Sequence, residues 1–99
     1  MKNHMITLKY LRDDWVDGTI DGFRFQAKVF DEGSRLGINE GRISKLSIWD
    51  ESKRRACRNI LTASIVNYDR GWDIKPKKKA DREILDAMVT YLENLPVQE

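Results

Sequence analysis

Cysteine and histidine occur once each in this chain of 99 residues, as Cys57 and His4. A lone cysteine excludes an internal disulfide, and a lone histidine excludes His pairs and His-based zinc sites. Two prolines and six glycines are too few for a proline-rich linker or a collagen-like repeat. Long hydrophobic runs are also missing. Residues 1–10 lack the apolar stretch of about 7 to 15 residues that marks a signal peptide, and nothing nears the roughly 18 apolar residues of a membrane span. A reducing, cytoplasmic setting away from membranes is the expectation.

Charge is abundant. Charged residues make up 34% of the chain and hydrophobic ones 40%, with a net charge of +2. That composition suits one folded domain over residues 1–99. Its distribution is uneven: residues 52–79 hold nine basic side chains against two acidic ones, Asp69 and Asp73, so this stretch carries +7 and the remainder −5. Such segregation gives a surface with a cationic flank that steers polyanions or acidic protein surfaces.

Asp21-Gly22 readily takes the positive φ angles of a two-residue hairpin turn and lies between alternating segments. Pairing outward sets Ile20 opposite Phe23, Gly18 opposite Phe25 and Val16 opposite Ala27. One face then carries Val16, Ile20, Phe23, Phe25, Ala27 and Val29, while Trp15, Arg24, Gln26 and Lys28 lie on the other. Residues 31–41 are dense in turn formers and read as a loop. Residues 42–49 alternate as a third strand, with Leu46 and Ile48 on one side and Ile43, Lys45 and Trp49 on the other. Residues 50–58 suit one or two helical turns capped by Asp50. A fourth strand is expected over 61–68, followed by a turn in which Gly71 takes positive φ. Beyond Pro76, Ile84, Leu85, Met88, Val89, Leu92 and Leu95 form a stripe with helical period, giving a helix over 80–95. The expected fold is α+β: a four-stranded, mainly antiparallel sheet over 14–73, with a C-terminal amphipathic helix packed on one face and residues 1–10 frayed.

The basic residues divide into Lys53, Arg54, Arg55 and Arg58, then Lys75, Lys77, Lys78 and Lys79. The second group sits where the C-terminal helix begins, and cations there oppose the helix macrodipole. A solvated lysine run in a linker is the plainer reading. A contact for phosphate or for an acidic protein surface is the functional one. Trp49 and Trp72 are candidate aromatic anchors, since exposed aromatics concentrate binding energy. Asp50-Glu51-Ser52-Lys53 superficially matches the acidic-x-Lys element of metal-dependent nucleases, but that pattern is common by chance in so charged a chain. No catalytic residue, metal ligand or cofactor site emerges.

The segments 21–28, 41–46 and 67–73 resemble a family of short proteins of unassigned function from Gram-positive bacteria, their phages and mobile elements. The resemblance covers about residues 15–73 and implies no activity. Members join the third and fourth strands more briefly, so it also implies that the basic stretch 52–61 is an addition. Together these readings point to a non-enzymatic binding protein, encoded by a phage or mobile element. It would dock on, and inhibit, a host protein or nucleoprotein such as a defence complex, as anti-CRISPR proteins do. The alternative is a direct nucleic-acid binder using the same basic patch. A homodimer formed through an exposed strand edge is a further possibility.

Overall fold

The computed structural model describes residues 4–57 and 60–97. Six strands, β1 (Ile6–Tyr10), β2 (Trp15–Ile20), β3 (Phe23–Val29), β4 (Ile43–Trp49), β5 (Ser64–Asp69) and β6 (Trp72–Ile74), form one antiparallel sheet in chain order. Helices α1 (Glu51–Cys57) and α2 (Ile60–Ala63) stand between β4 and β5, and α3 (Lys79–Glu93) follows β6. The α+β class and the C-terminal helix match expectation. Strand number does not, because the sheet has six strands rather than four and runs from Ile6 to Ile74 rather than over 14–73.

The two additional strands lie at the sheet's edges. Residues 6–10, expected to fray, pair with β2 from Ile6↔Ile20 to Tyr10↔Val16. Asp21 anchors that strand from the hairpin turn: its carboxylate accepts the Met5 N–H at 2.7 Å and contacts the His4 ring, while its own N–H donates to the Met5 carbonyl at 2.9 Å. β6 has three residues, too few for alternation to show in the sequence. In the β5–β6 turn the left-handed residue is Arg70 (φ 57°), not Gly71.

The β2–β3 hairpin has the expected register, with Asp21 at φ 49° and Gly22 at φ 89°. Gly18 lies opposite Phe25, but its need for glycine comes from β1: a Cβ there would stand 1.9 Å from the Thr7 carbonyl oxygen. A bulge between Lys28 and Val29 shifts the β3–β4 register, so Ser44 becomes the extra residue and Ile43 turns inward. Ile43 is therefore fully buried, against the strict alternation expected of that strand. Phe25, Leu46, Ile48 and Val66 join it, and Ile84, Met88 and Leu92 of α3 close the core from the same side. Each buried side chain of this kind is worth about 1.5–3 kcal/mol, so α3 is the cover that this sheet face requires.

The β4–β5 connection is helical. Asp50 caps α1, its Oδ1 accepting the N–H groups of Ser52 at 2.9 Å and Lys53 at 3.2 Å. The expected strand over 61–68 begins only at Ser64, because α2 takes up residues 60–63. The Asp50 N–H donates to the Ala63 carbonyl at 3.0 Å, so the excursion leaves and rejoins the sheet at one point.

Candidate interaction surface

Topology gathers the two basic groups. Trp49 at the end of β4 pairs with Ser64 at the start of β5, so α1 and α2 stand at that end of the sheet. β6 runs antiparallel to β5, towards the same end, and delivers Lys75, Lys77, Lys78 and Lys79 there. α3 then turns back over the sheet, and its last residue, Glu93, meets Arg42 at the opposite end. Lys53, Arg54, Arg55, Lys75, Lys77, Lys78 and Lys79 are all exposed. Arg58 lies outside the described residues.

Glu51 is the main counter-charge within α1. Its Oε1 lies 3.7 Å from both Arg54 and Arg55, and its Oε2 accepts the Trp49 indole N–H at 2.7 Å. With the capping Asp50, two carboxylates stand against Lys53 and two arginines, so this corner is cationic by one charge among the described residues, and exposed ion pairs of this length contribute only tenths of a kcal/mol. At the start of α3, Lys78 occupies the cap position without a side-chain cap, and Asp81 is the only acid of the first turn. The lysine run therefore faces solvent against the helix dipole.

The two candidate anchors are separated. Trp49 lies opposite Arg24 on the sheet face away from α3. Trp72 pairs with Tyr68 and packs edge-on against its ring at 5.0 Å and 74°, with Lys75 Nζ 5.6 Å from its own ring centre. It borders a shallow groove with Ile38, Lys75, Leu85 and Val89 on the helix side. Only Trp49 shares a corner with α1, and Trp72 belongs with Lys75.

One constellation escaped the sequence reading. On the face away from α3, pairings set Trp15, Lys28, Lys45 and Asp69 in one row across four strands. Lys28 Nζ lies 5.9 Å from the Trp15 ring and 5.4 Å from the Phe30 ring, and Lys45 Nζ is 5.7 Å from Trp15. The alternating pattern places Trp15, Lys28 and Lys45 on an outward face, whereas Asp69 falls in the turn expected after the fourth strand. What joins them is the β3–β4 register, which passes through the loop 30–42 and carries no local signal.

The Asp21 carboxyl is held below its usual range, first by its hydrogen bond to His4, then by the Met5 N–H and the nearby imidazole charge. No group of three or more His, Cys, Asp or Glu side chains is placed to hold a metal among the described residues. No helix among them is long and apolar enough to cross a membrane.

A family model described as "Domain of unknown function (DUF7678)" matches residues 14–93. The chain belongs to the DUF7678 family. No curated protein and no solved structure matches it. The DUF7678 span includes β2 to β6 and all of α3, whereas β1 precedes it.

Within the DUF7678 span, the segments that carry the resemblance hold the scaffold together. The Arg42 guanidinium donates to the carbonyls of Phe30 at 2.7 Å, Glu93 at 2.8 Å and Leu95 at 2.8 Å, while its backbone N–H meets the Glu93 carboxylate at 2.8 Å. It thereby satisfies carbonyls that the end of α3 leaves open. A Cβ on Gly41 would lie 2.2 Å from a Glu93 carboxylate oxygen. The Tyr68 hydroxyl donates to the Leu36 carbonyl at 2.8 Å, and the Arg70 N–H donates to the Ser44 carbonyl at 2.9 Å, pinning the long loop and the last turn. These contacts run to backbone groups and tie the long loop, the last turn and the end of α3 to the sheet.

Proposed function

We propose that this DUF7678 chain is a non-enzymatic binding protein, encoded by a phage or mobile element of a Gram-positive host. It docks on a host nucleoprotein in the cytoplasm and inhibits it, in the general manner of anti-CRISPR proteins. The observation that carries the reading is the gathering of α1 and the Lys75–Lys79 run at one end of the sheet, with every described cation of both groups exposed. Lys53, Arg54, Arg55, Lys75, Lys77, Lys78 and Lys79 supply long-range attraction, and Arg58 belongs to the same sequence run. Trp49 supplies apolar contact on the α1 side and Trp72 on the Lys75 side.

A second reading, direct nucleic-acid binding by the same cations, is favoured by the loose engagement of Arg54 and Arg55, whose 3.7 Å contacts to Glu51 leave guanidinium donors for phosphate. Affinity capture from host lysate, with and without nuclease, separates the two. Docking on the protein component predicts a defined complex that survives nuclease. Binding that disappears with nuclease, and is reproduced by naked nucleic acid with a linear log–log salt dependence, supports the second reading instead.

A further inference from the structure

We infer that the sheet face away from α3 binds single-stranded RNA, with Trp15 as the stacking residue and Lys28 and Lys45 as its phosphate contacts. This goes beyond the docking reading and, Trp49 apart, uses other residues.

An antiparallel sheet with a helix on one side leaves its second face to solvent, and such a face is ordinarily plain and polar. Here it is polar with aromatic rings. Trp15 and Trp49 are half-buried and Phe30 is exposed, although α3 lies on the other side. The formal charges favour a polyanion. Lys9, Arg24, Lys28 and Lys45 stand on this face against Asp17 and Asp69, with Glu51 at its edge on the Trp49 indole, and Asp69 is already engaged by Lys45 at 3.8 Å and Arg70 at 3.2 Å.

The ammonium groups of Lys28 and Lys45 lie over the Trp15 ring, so a base taking their place against the indole turns them aside, within reach of its phosphate. Flat sheets that hold bases on aromatic rings with cations beside them are a recurring platform for unstacked strands. Duplexes hide their base faces and cannot use it. The row beside Trp15 runs Asp17, Gln26, Ser47 and Asn67 across four strands. Its amides and hydroxyl both donate and accept, as does a ribose 2′-hydroxyl, which favours RNA over DNA. Trp49 lies four residues along and two strands across from Trp15. At about 3.3 Å per residue and 4.8 Å per strand that is roughly 16 Å, a separation that a short strand spans diagonally.

The test is fluorescence anisotropy of the full chain with a labelled twelve-nucleotide oligouridylate at low salt. Binding is expected, weakening with salt at a slope of about −0.7 per phosphate neutralised. Trp15→Ala should lower affinity about five- to hundred-fold, and Trp15→Phe should keep part of it. Lys28→Glu with Lys45→Glu should abolish binding, which keeps the inference testable if Trp15→Ala fails to fold. Charge reversal at Lys77, Lys78 and Lys79 should leave oligouridylate affinity within a few-fold, so failure of the docking reading is seen separately. The inference is overturned if folded wild-type protein binds no oligouridylate, if Trp15→Ala binds as wild type does, or if oligothymidylate or an RNA duplex binds equally tightly.

Discussion

Replacing Arg42 by Ala removes one guanidinium that bonds three backbone carbonyls at 2.7 to 2.8 Å, those of Glu93 and Leu95 part-buried and that of Phe30 exposed. A hydrogen bond to a charged group contributes about 1.5–3 kcal/mol, but three bonds from one side chain do not add in full when water can replace some of them. A loss of about 2–4 kcal/mol is the working figure, against a total stability of roughly 5–15 kcal/mol. For a domain of this length each kcal/mol moves Tm by about 4–8 °C, so the melting temperature should fall by about 8–32 °C. Thermal denaturation followed by far-UV circular dichroism reads this directly, with urea midpoints as a second probe. Arg42→Lys should recover less than half, because one ammonium cannot span three carbonyls in different directions. A fall below about 4 °C for Arg42→Ala would refute the claim that this side chain fastens the end of α3 to the sheet.

Gly18→Ala should destabilise by about 1–3 kcal/mol, since its Cβ would meet the Thr7 carbonyl oxygen at 1.9 Å; Gly71→Ala, where nothing lies within 4 Å of the added Cβ, should be neutral or slightly stabilising. Parallel thermal melts of the two variants check the contrast. Asp21 has its folded-state pKa lowered, so its contribution is complete above its unfolded value of about 3.9 and is lost as pH falls through the depressed folded value. His4→Ala should shrink that acid-limb loss, as read from urea midpoints between about pH 5 and pH 2.5. Replacing residues 51–62 by Asn-Gly should preserve a cooperatively melting sheet, because Asp50 and Ala63 are already hydrogen-bonded to each other at 3.0 Å; an unfolded product would show that α1 and α2 are part of the scaffold.

The parts of the fold that could be read from the sequence are those fixed locally. Asp21-Gly22 sets its own turn and, through it, the register of Val16, Gly18 and Ile20 with Ala27, Phe25 and Phe23. Ile84, Met88 and Leu92 recur every four residues and need only one face to pack on. What could not be read depends on distant partners. Ile6 and Leu8 alternate with Thr7 and Lys9, and what makes this segment a strand is its pairing with β2, the Thr7–Thr19 hydrogen bond and the hold of Asp21 on Met5 and His4, all contacts with distant residues. Ile43 faces inward because of a bulge that no composition signals. Residues 60–63 are apolar enough for a strand but lie in a helix that returns Ala63 to Asp50. The cationic runs were visible as runs, and their meeting at one end follows from β6, which was not expected. Lys28 and Lys45 come together on Trp15 only once β3 and β4 are paired.

The central claim is that the molecule works by presenting a surface and that the exposed cations at one end of the sheet carry its recognition. The most direct measurement is host-nucleoprotein capture by the chain with Lys75, Lys77, Lys78 and Lys79 all replaced by Glu, alongside its thermal melt. The account predicts that capture is lost while Tm is unchanged or slightly raised, since acids at the start of α3 favour the helix dipole. Capture equal to wild type, or loss of folding in the variant, would contradict it.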